Sequence, residues 1–523
     1  MKRIFTFLIV LFLGIALIGC NDKSIVPDNG EQPQVNIHEI LKESYPKNDI
    51  YYQIFVRSFA DSDGDGIGDL KGITNKLSYL TDLGITALWL TPIHPTISNH
   101  GYDIVDYYDI NPDFGTMADF EELLKEAHKL DIKIIMDAVF NHTSEHNNWY
   151  KEALNDLDSS YRDFYIWPSN AKPGQAANES FSFTRDLNLR NPKVVDELEK
   201  ILLFYLEKGV DGFRFDAVKH FFSKDYDKNF SSSPNFEGGM VLRELKQRVR
   251  KEHPNVYFVG EYFDYSINMY KDYYLGADSM FNFEMAQMLK EGRYSDLQLS
   301  LRRIYSSLDE FSPYAIDAPF ITNHDLNRFA SDNDNIENIK LSTSILLTLP
   351  GNPFIYYGEE LGMKGVRREG VKIPGYEDEK GNPLLVYDEA RRQPFLWDVD
   401  DDAMTKWFPL VDGNNEVARY SKQLNDPNSL LNHYQKLIKI RKDNPALRYG
   451  KTITRVNDIN GAVAFIREIE HGDYKQTILI VHNTVGITKE LNIEVIKDLY
   501  GSQTLLPMQT YIAEIESKEL VFK

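Results

Sequence analysis

From Ile50 onward the chain alternates two textures. Short apolar runs rich in β-branched and aromatic residues are separated by stretches in which apolar residues recur every three or four positions. The runs are IYYQIF at Ile50, ITALWLTP at Ile85, IKIIMDAVF at Ile132, VDGFRFDA at Val210, VYFVGEY at Val256, GADSMFNF at Gly276, APFITNHD at Ala318 and NPFIYYGEE at Asn352. Runs of this length read as strands, and the periodic stretches read as amphipathic helices. In NPKVVDELEKILLFYLEKG, for example, Val195, Leu198, Leu202 and Leu206 fall on one stripe. Strand–helix alternation predicts a parallel sheet. Eight units predict a (β/α)8 barrel with insertions.

Two connections are too long for simple loops. One follows DAVFNH and predicts an inserted subdomain over 143–190. The other follows YYGEELGM and runs through RREGVKIPGYEDEKGNPLLVYDEARRQPFLWD. The barrel then occupies 47–142 and 191–448. After Arg448, TITRVNDINGAVAFIREI, QTILIVHNT and TYIAEIE alternate with turns. That pattern predicts an antiparallel β-sandwich domain over 449–523.

The first twenty residues differ from all the rest. Lys2 and Arg3 precede an apolar stretch from Ile4 to Ile18, and LIGC closes at Cys20. This reads as an export signal. The alternative is a membrane-spanning anchor, for which the stretch is short. Residues 21–46 read as a polar tether. Cys20 is the single cysteine in the chain, so the exported domain has no disulfide and a metal ion is a plausible staple. The net charge of −21 argues against nucleic-acid binding.

Charge also appears where strands should be dry. In GVDGFRFDAVKH, Phe213 and Phe215 point one way while Arg214 and Asp216 point the other. A buried ion pair rarely favours stability. Either this is a structural bridge at a strand end, or it belongs to a site at a barrel mouth. Other strand ends carry similar groups: Asp137, Asn141 and His142 on the third, Glu261 on the fifth, His324 and Asp325 on the seventh. Barrel enzymes gather their chemistry at those ends. In DSDGDGIGD, carboxylates alternate as they do around Ca²⁺. The twelfth position of that loop is Gly72 where an EF-hand has Glu, so the alternatives are another type of cation loop or a solvated acidic turn.

The segments DAVFNH, GFRFDAVKH, GEYF and ITNHD, in this order, resemble the signature segments of the α-amylase family of glycoside hydrolases. HGYDIVDYYDINPDFGT and DLNLRNP resemble two more. The resemblance implies a retaining hydrolase of α-glucans such as starch and maltooligosaccharides. It implies Asp216 as nucleophile, Glu261 as acid/base and Asp325 as third carboxylate. Tyr102, His142, Arg214, His324 and Arg328 would hold the sugar, with Lys219 and His220 meeting the unit beyond the cleaved bond. Asp61, Asp63, Asp65, Asp69 and the Ile67 carbonyl match a Ca²⁺ loop of oligo-1,6-glucosidases. Asn141, Asp186 and the His220 carbonyl match a second calcium site. LIGC resembles a lipoprotein signal, which implies lipid on Cys20, export and anchoring to a bacterial membrane. A monomer is the expected state, though the sequence itself does not give it. RRQPFLWD leans towards oligo-1,6-glucosidases and DLNLRNP towards neopullulanases, so the linkage stays open, as does transglycosylation. A non-catalytic sugar-binding barrel is a remote alternative, because all three carboxylates are present.

Overall fold

Eight parallel strands are arranged as a barrel in the computed structural model, which describes residues 37–45, 47–222, 234–312, 314–378, 380–453 and 462–516. They are β1 (Tyr51–Ile54), β2 (Ala87–Leu90), β3 (Lys133–Ala138), β4 (Gly212–Phe215), β5 (Tyr257–Gly260), β6 (Ser279–Phe281), β7 (Ile316–Ala318) and β8 (Phe354–Tyr356). Each pairs with its predecessor through β7, and β8 pairs with β1. A parallel bridge between Phe320 and Phe354 brings β7 to β8 and nearly completes the ring. Seven of these strands fall on runs read from the sequence. The seventh is displaced: it ends at Ala318, before Pro319, so Asn323 to Asp325 sit on a loop beyond the strand.

The helices follow their periodicity. Pro192–Lys208 starts from an Asn191 cap and stops at Gly209 in the left-handed region. It buries Val195, Leu198, Leu202 and Leu206.

Alternation along the strands divides the barrel into two cores. Outward positions such as Tyr52, Ile54, Phe213 and Phe215 pack among the helices. Inward positions build a separate plug: Tyr51, Trp89, Ile135, Tyr257, Val259, Phe281 and Phe354. Tyr51 stacks on Phe354 with centroids 4.4 Å apart. Gly212 lacks a side chain there because a Cβ would come within 2.2 Å of the Tyr257 carbonyl. One inward step nearer the C-terminal ends, the plug gives way to polar groups. Tyr51 is followed by Gln53, Ile135 by Asp137, Gly212 by Arg214 and Val259 by Glu261.

The insertion after β3 holds a short ribbon, His142–Ser144 with Thr184–Asp186, and a helix, Asn148–Asn155. The second insertion forms an exposed ribbon, Val371–Glu377 with Pro383–Val386. The C-terminal unit is a five-stranded antiparallel sheet with a two-stranded sheet over Ala464, Ile466, Leu479, Val481 and Leu505. Its other face, through Phe465, Ile478 and Ile480, joins the main core.

One boundary is corrected. Residues 37–44, assigned to the tether, form a helix. Ile37, Ile40 and Leu41 share a stripe, Leu41 is fully buried, and Tyr45 stacks on Tyr449 at 5.5 Å. Cys20, the export signal and the tether up to residue 36 lie outside the described residues. Among those described, no helix is long and apolar enough to cross a membrane.

Candidate active site

The polar layer above the plug is organised by Arg214. Its Nη1 donates to Asp137 Oδ1 and to Asp216 Oδ1, each at 2.6 Å. Its Nη2 stands 3.8 Å from Glu261 Oε2. The guanidinium also lies over the rings of Trp89 and Tyr102. Asp137 is held in turn by the Trp89 indole N–H at 2.8 Å and the Tyr102 hydroxyl at 3.3 Å. One cation therefore serves three carboxylates. Burial lifts the Asp137 carboxyl to about 7, against the pull of Arg214.

Asp216 and Glu261 directly follow β4 and β5, whose register aligns Phe215 with Gly260. The turn after Asp216 is strained: Ala217 has φ of 48°, unusual for a residue with a Cβ. That turn aims the Ala217 N–H at Glu261 Oε2, 2.9 Å away. Burial raises the Glu261 pKa to about 7; Arg214 opposes the rise while Asp216 and Asp325 reinforce it. One carboxylate bound to a guanidinium and a neighbour that keeps its proton make an acid–nucleophile pair possible.

Asp325 completes the mouth from the loop after β7. Its side chain is 53% exposed, lying 3.0 Å from His324 Nε2 and 3.1 Å from Arg392 Nη2. Desolvation within the cleft works against its charge, but His324 and the Arg392 and Arg214 guanidinia outweigh it and hold the carboxyl below the usual range. Tyr102 stacks on His324 with centroids 5.3 Å apart and planes 8° from parallel, forming a platform above Arg214. His142 is buried, with Nε2 donating to the Tyr102 carbonyl at 3.0 Å. Lys219 reaches across to the loop after β5, where it donates to the Phe263 carbonyl at 2.9 Å. His220 packs edge-on against Phe181 of the insertion.

Arg328 does not reach the mouth. It is buried, donating to the carbonyls of Arg391 at 2.9 Å and Tyr357 at 2.7 Å. Arg392, from RRQPFLWD, takes the place beside Asp325. Arg392 and Gln53 are site residues that sequence reasoning passed over, and Asp137 was named as a strand-end group without a role. For Gln53 the available signal was a polar residue at an inward strand position.

The acidic loop gathers Asp61, Asp63 and Asp65 within 4.8 Å of one another, a hard-oxygen donor set that fits a divalent cation. Asp69 does not join them. Its oxygens accept the N–H groups of Ser62 and Gly72, and it caps the helix Leu70–Asn75. The Ile67 N–H bonds Asp65. Asn141, Asp186 and His220 do meet around one small cavity, but Arg190 lines it as well. The Arg190 guanidinium pairs with Glu237 at 3.0 Å and lies over the Phe222 ring.

Fold and site together define a (β/α)8 enzyme with a carboxylate pair at its mouth. A family model described as the catalytic domain of alpha amylase matches residues 53–450, so the chain belongs to the α-amylase family of glycoside hydrolases and transferases. It is 39% identical over 475 residues to Alpha-amylase 3 of Dictyoglomus thermophilum, covering 86% of this chain and 87% of that protein. It is 34% identical over 427 residues to a 4-alpha-glucanotransferase of Thermotoga maritima, covering 76% and 87%. The crystal structure of an α-amylase from H. orenii matches with a TM-score of 0.74 and 33% identity, covering 90% of this chain and all of that one.

Proposed function

We propose that this chain hydrolyses α-1,4-glucosidic bonds within starch and maltooligosaccharides and retains the α-configuration. The observation that carries the reading is the placement of Asp216 and Glu261 on adjacent strand ends around one guanidinium. Neighbouring strands lie about 4.8 Å apart. A retaining pair needs about 5–5.5 Å, which leaves no room for an inverting water. Asp216 attacks the anomeric carbon, and Glu261 gives its proton to the departing sugar oxygen. Glu261 then takes a proton from water as that water releases the glucosyl group from Asp216. Asp325, Tyr102 and His324 orient the sugar at the cleavage point, and Lys219 and His220 face the leaving side.

A second reading is a neopullulanase-type or oligo-1,6-glucosidase-type hydrolase that also transfers. The likeness to a glucanotransferase supports it, because one covalent intermediate serves water and sugar acceptors alike. Product analysis on starch, pullulan, cyclodextrin and isomaltose separates the two. Anomer-resolved NMR of fresh product tests retention, and an initial β-anomer overturns the mechanism.

Two further parts belong to the proposal. Asp61, Asp63 and Asp65 hold Ca²⁺ as a structural staple. Lipid on Cys20 anchors the exported enzyme to the cell membrane. Metabolic labelling with a fatty acid should mark the wild type and not Cys20→Ser; equal labelling of both removes the anchor.

A further inference from the structure

An amide inside a barrel needs a partner, because a buried polar group left unpaired is costly. Gln53 occupies the last inward position of β1 and is 1% exposed. Its partner lies 271 residues away: Gln53 Nε2 stands 2.7 Å from His324 Nδ1. The other ring nitrogen, Nε2, stands 3.0 Å from Asp325 Oδ2. The imidazole is thus hydrogen-bonded by the amide at Nδ1, while Nε2 lies beside the carboxylate without making an aligned hydrogen bond and Tyr102 covers the ring face.

We propose that Gln53 is a positioning residue that fixes the His324 tautomer. Its amide donates to Nδ1, so the ring proton sits on Nε2, the nitrogen nearer Asp325. The reverse tautomer would set a lone pair on Nε2 against the carboxylate oxygen and oblige Gln53 to turn its carbonyl inward. The charged ring is opposed by burial and by Arg392 and Arg214, with Asp325 acting the other way. His100 faces the same group and adds to the opposition when protonated. Tyr102, the remaining titratable neighbour, stays neutral because burial raises its hydroxyl far above neutrality. A neutral amide is therefore the right partner: it orients the ring without charging it. The inference rests on the reading of Asp325 as the third carboxylate, beside which this ring nitrogen lies.

Long-range ¹⁵N NMR of histidine-labelled full chain tests it directly, with the His324 signal assigned by its loss in His324→Asn. A neutral ring protonated at Nε2 is expected. Protonation at Nδ1 overturns the proposal, and this readout does not depend on which glucan is cleaved. Gln53→Leu should lower kcat/KM about tenfold per folded molecule, the equivalent of one orienting hydrogen bond. The near-isosteric Gln53→Glu should instead charge the ring, visible as two protonated nitrogens and an altered pH profile of kcat. If both variants merely melt earlier and keep wild-type kcat/KM, Gln53 is structural and the proposal falls.

Discussion

Arg214 and Arg328 are alike by every coarse measure. Each is 1% exposed. Each lies over two aromatic rings, Trp89 and Tyr102 for the first, Tyr356 and Tyr357 for the second. They differ in what accepts their hydrogen bonds. Arg214 is bound by the carboxylates of Asp137 and Asp216. Arg328 is bound by the backbone carbonyls of Arg391 and Tyr357. Carbonyls need a donor wherever a loop is buried, so Arg328 does the work of a staple. Clustered carboxylates beside a solvent-reached mouth need a cation to stay charged. Burial and ring contact do not separate the two roles; the partner does.

The largest expected effect tests the carboxylate side of that comparison. Asp216→Asn and Glu261→Gln should each cut kcat by about 10³-fold or more, in line with loss of nucleophilic or general-acid help. Both replacements keep the side chain's shape, so both variants should still fold cooperatively in melting curves. An active Asp216→Asn enzyme, shown free of deamidation, would sink the assignment.

Next come the two arginines themselves. Arg214→Ala strands Asp137 and Asp216, a cost of about 3–5 kcal/mol for a broken buried pair, and should lower kcat about 10²-fold or more. Arg328→Ala strands two carbonyls, at about 1–3 kcal/mol each. It should melt earlier yet turn over normally per folded molecule. Equal activity losses in both variants would erase the distinction.

The sequence makes the barrel legible because parallel strands buried on both faces read as unbroken apolar runs. It also exposes the GFRFDA pair, since two-residue spacing fixes a shared face without any tertiary knowledge. It does not separate Arg328 from Arg392. They stand 64 positions apart, and only the folding of the loop after β8 decides which one faces Asp325. The Gln53–His324 contact is hidden for the same reason. Asp69 carries two signals at once. Alternate spacing marks it as a metal ligand, while its place directly before Leu70 marks it as a helix cap, and the cap is what forms. The helix Ile37–Ser44 was obscured by its polar surroundings, although Ile37, Ile40 and Leu41 carried the period.

A smaller, graded effect concerns the proton on Glu261. The acid works only while protonated. With the pKa raised from 4.5 to about 7, kcat/KM should hold below that value and fall up to tenfold per pH unit above it. The sign for stability runs the same way. The folded carboxyl binds its proton more tightly than the unfolded one, so native stability falls as pH rises from 4.5 to about 7. Glu261→Gln lacks that slope, and its melting temperature should gain on the wild type across this window. Parallel melting curves at all pH values would contradict the raised pKa.

The smallest effect turns the comparison round. Arg214 shows carboxylates satisfied by a cation from the chain, whereas Asp61, Asp63 and Asp65 gather with only backbone N–H groups to face them among the described residues. That loop should draw its cation from solution. A ligand that binds only the folded state stabilises it by about 2.7 kcal/mol at a hundredfold excess over its Kd. A chelator should therefore lower the melting temperature by a few degrees, and added Ca²⁺ should restore it. Asp65→Ala should blunt the response. Asp69→Asn should leave it intact, because Asn caps a helix as well as Asp does and the carboxylate it removes lies outside the trio. Loss of the chelator response in Asp69→Asn would return that residue to the ligand set. A melting temperature indifferent to chelator in the wild type would leave the loop as an acidic turn, held by its own amides and needing no ion.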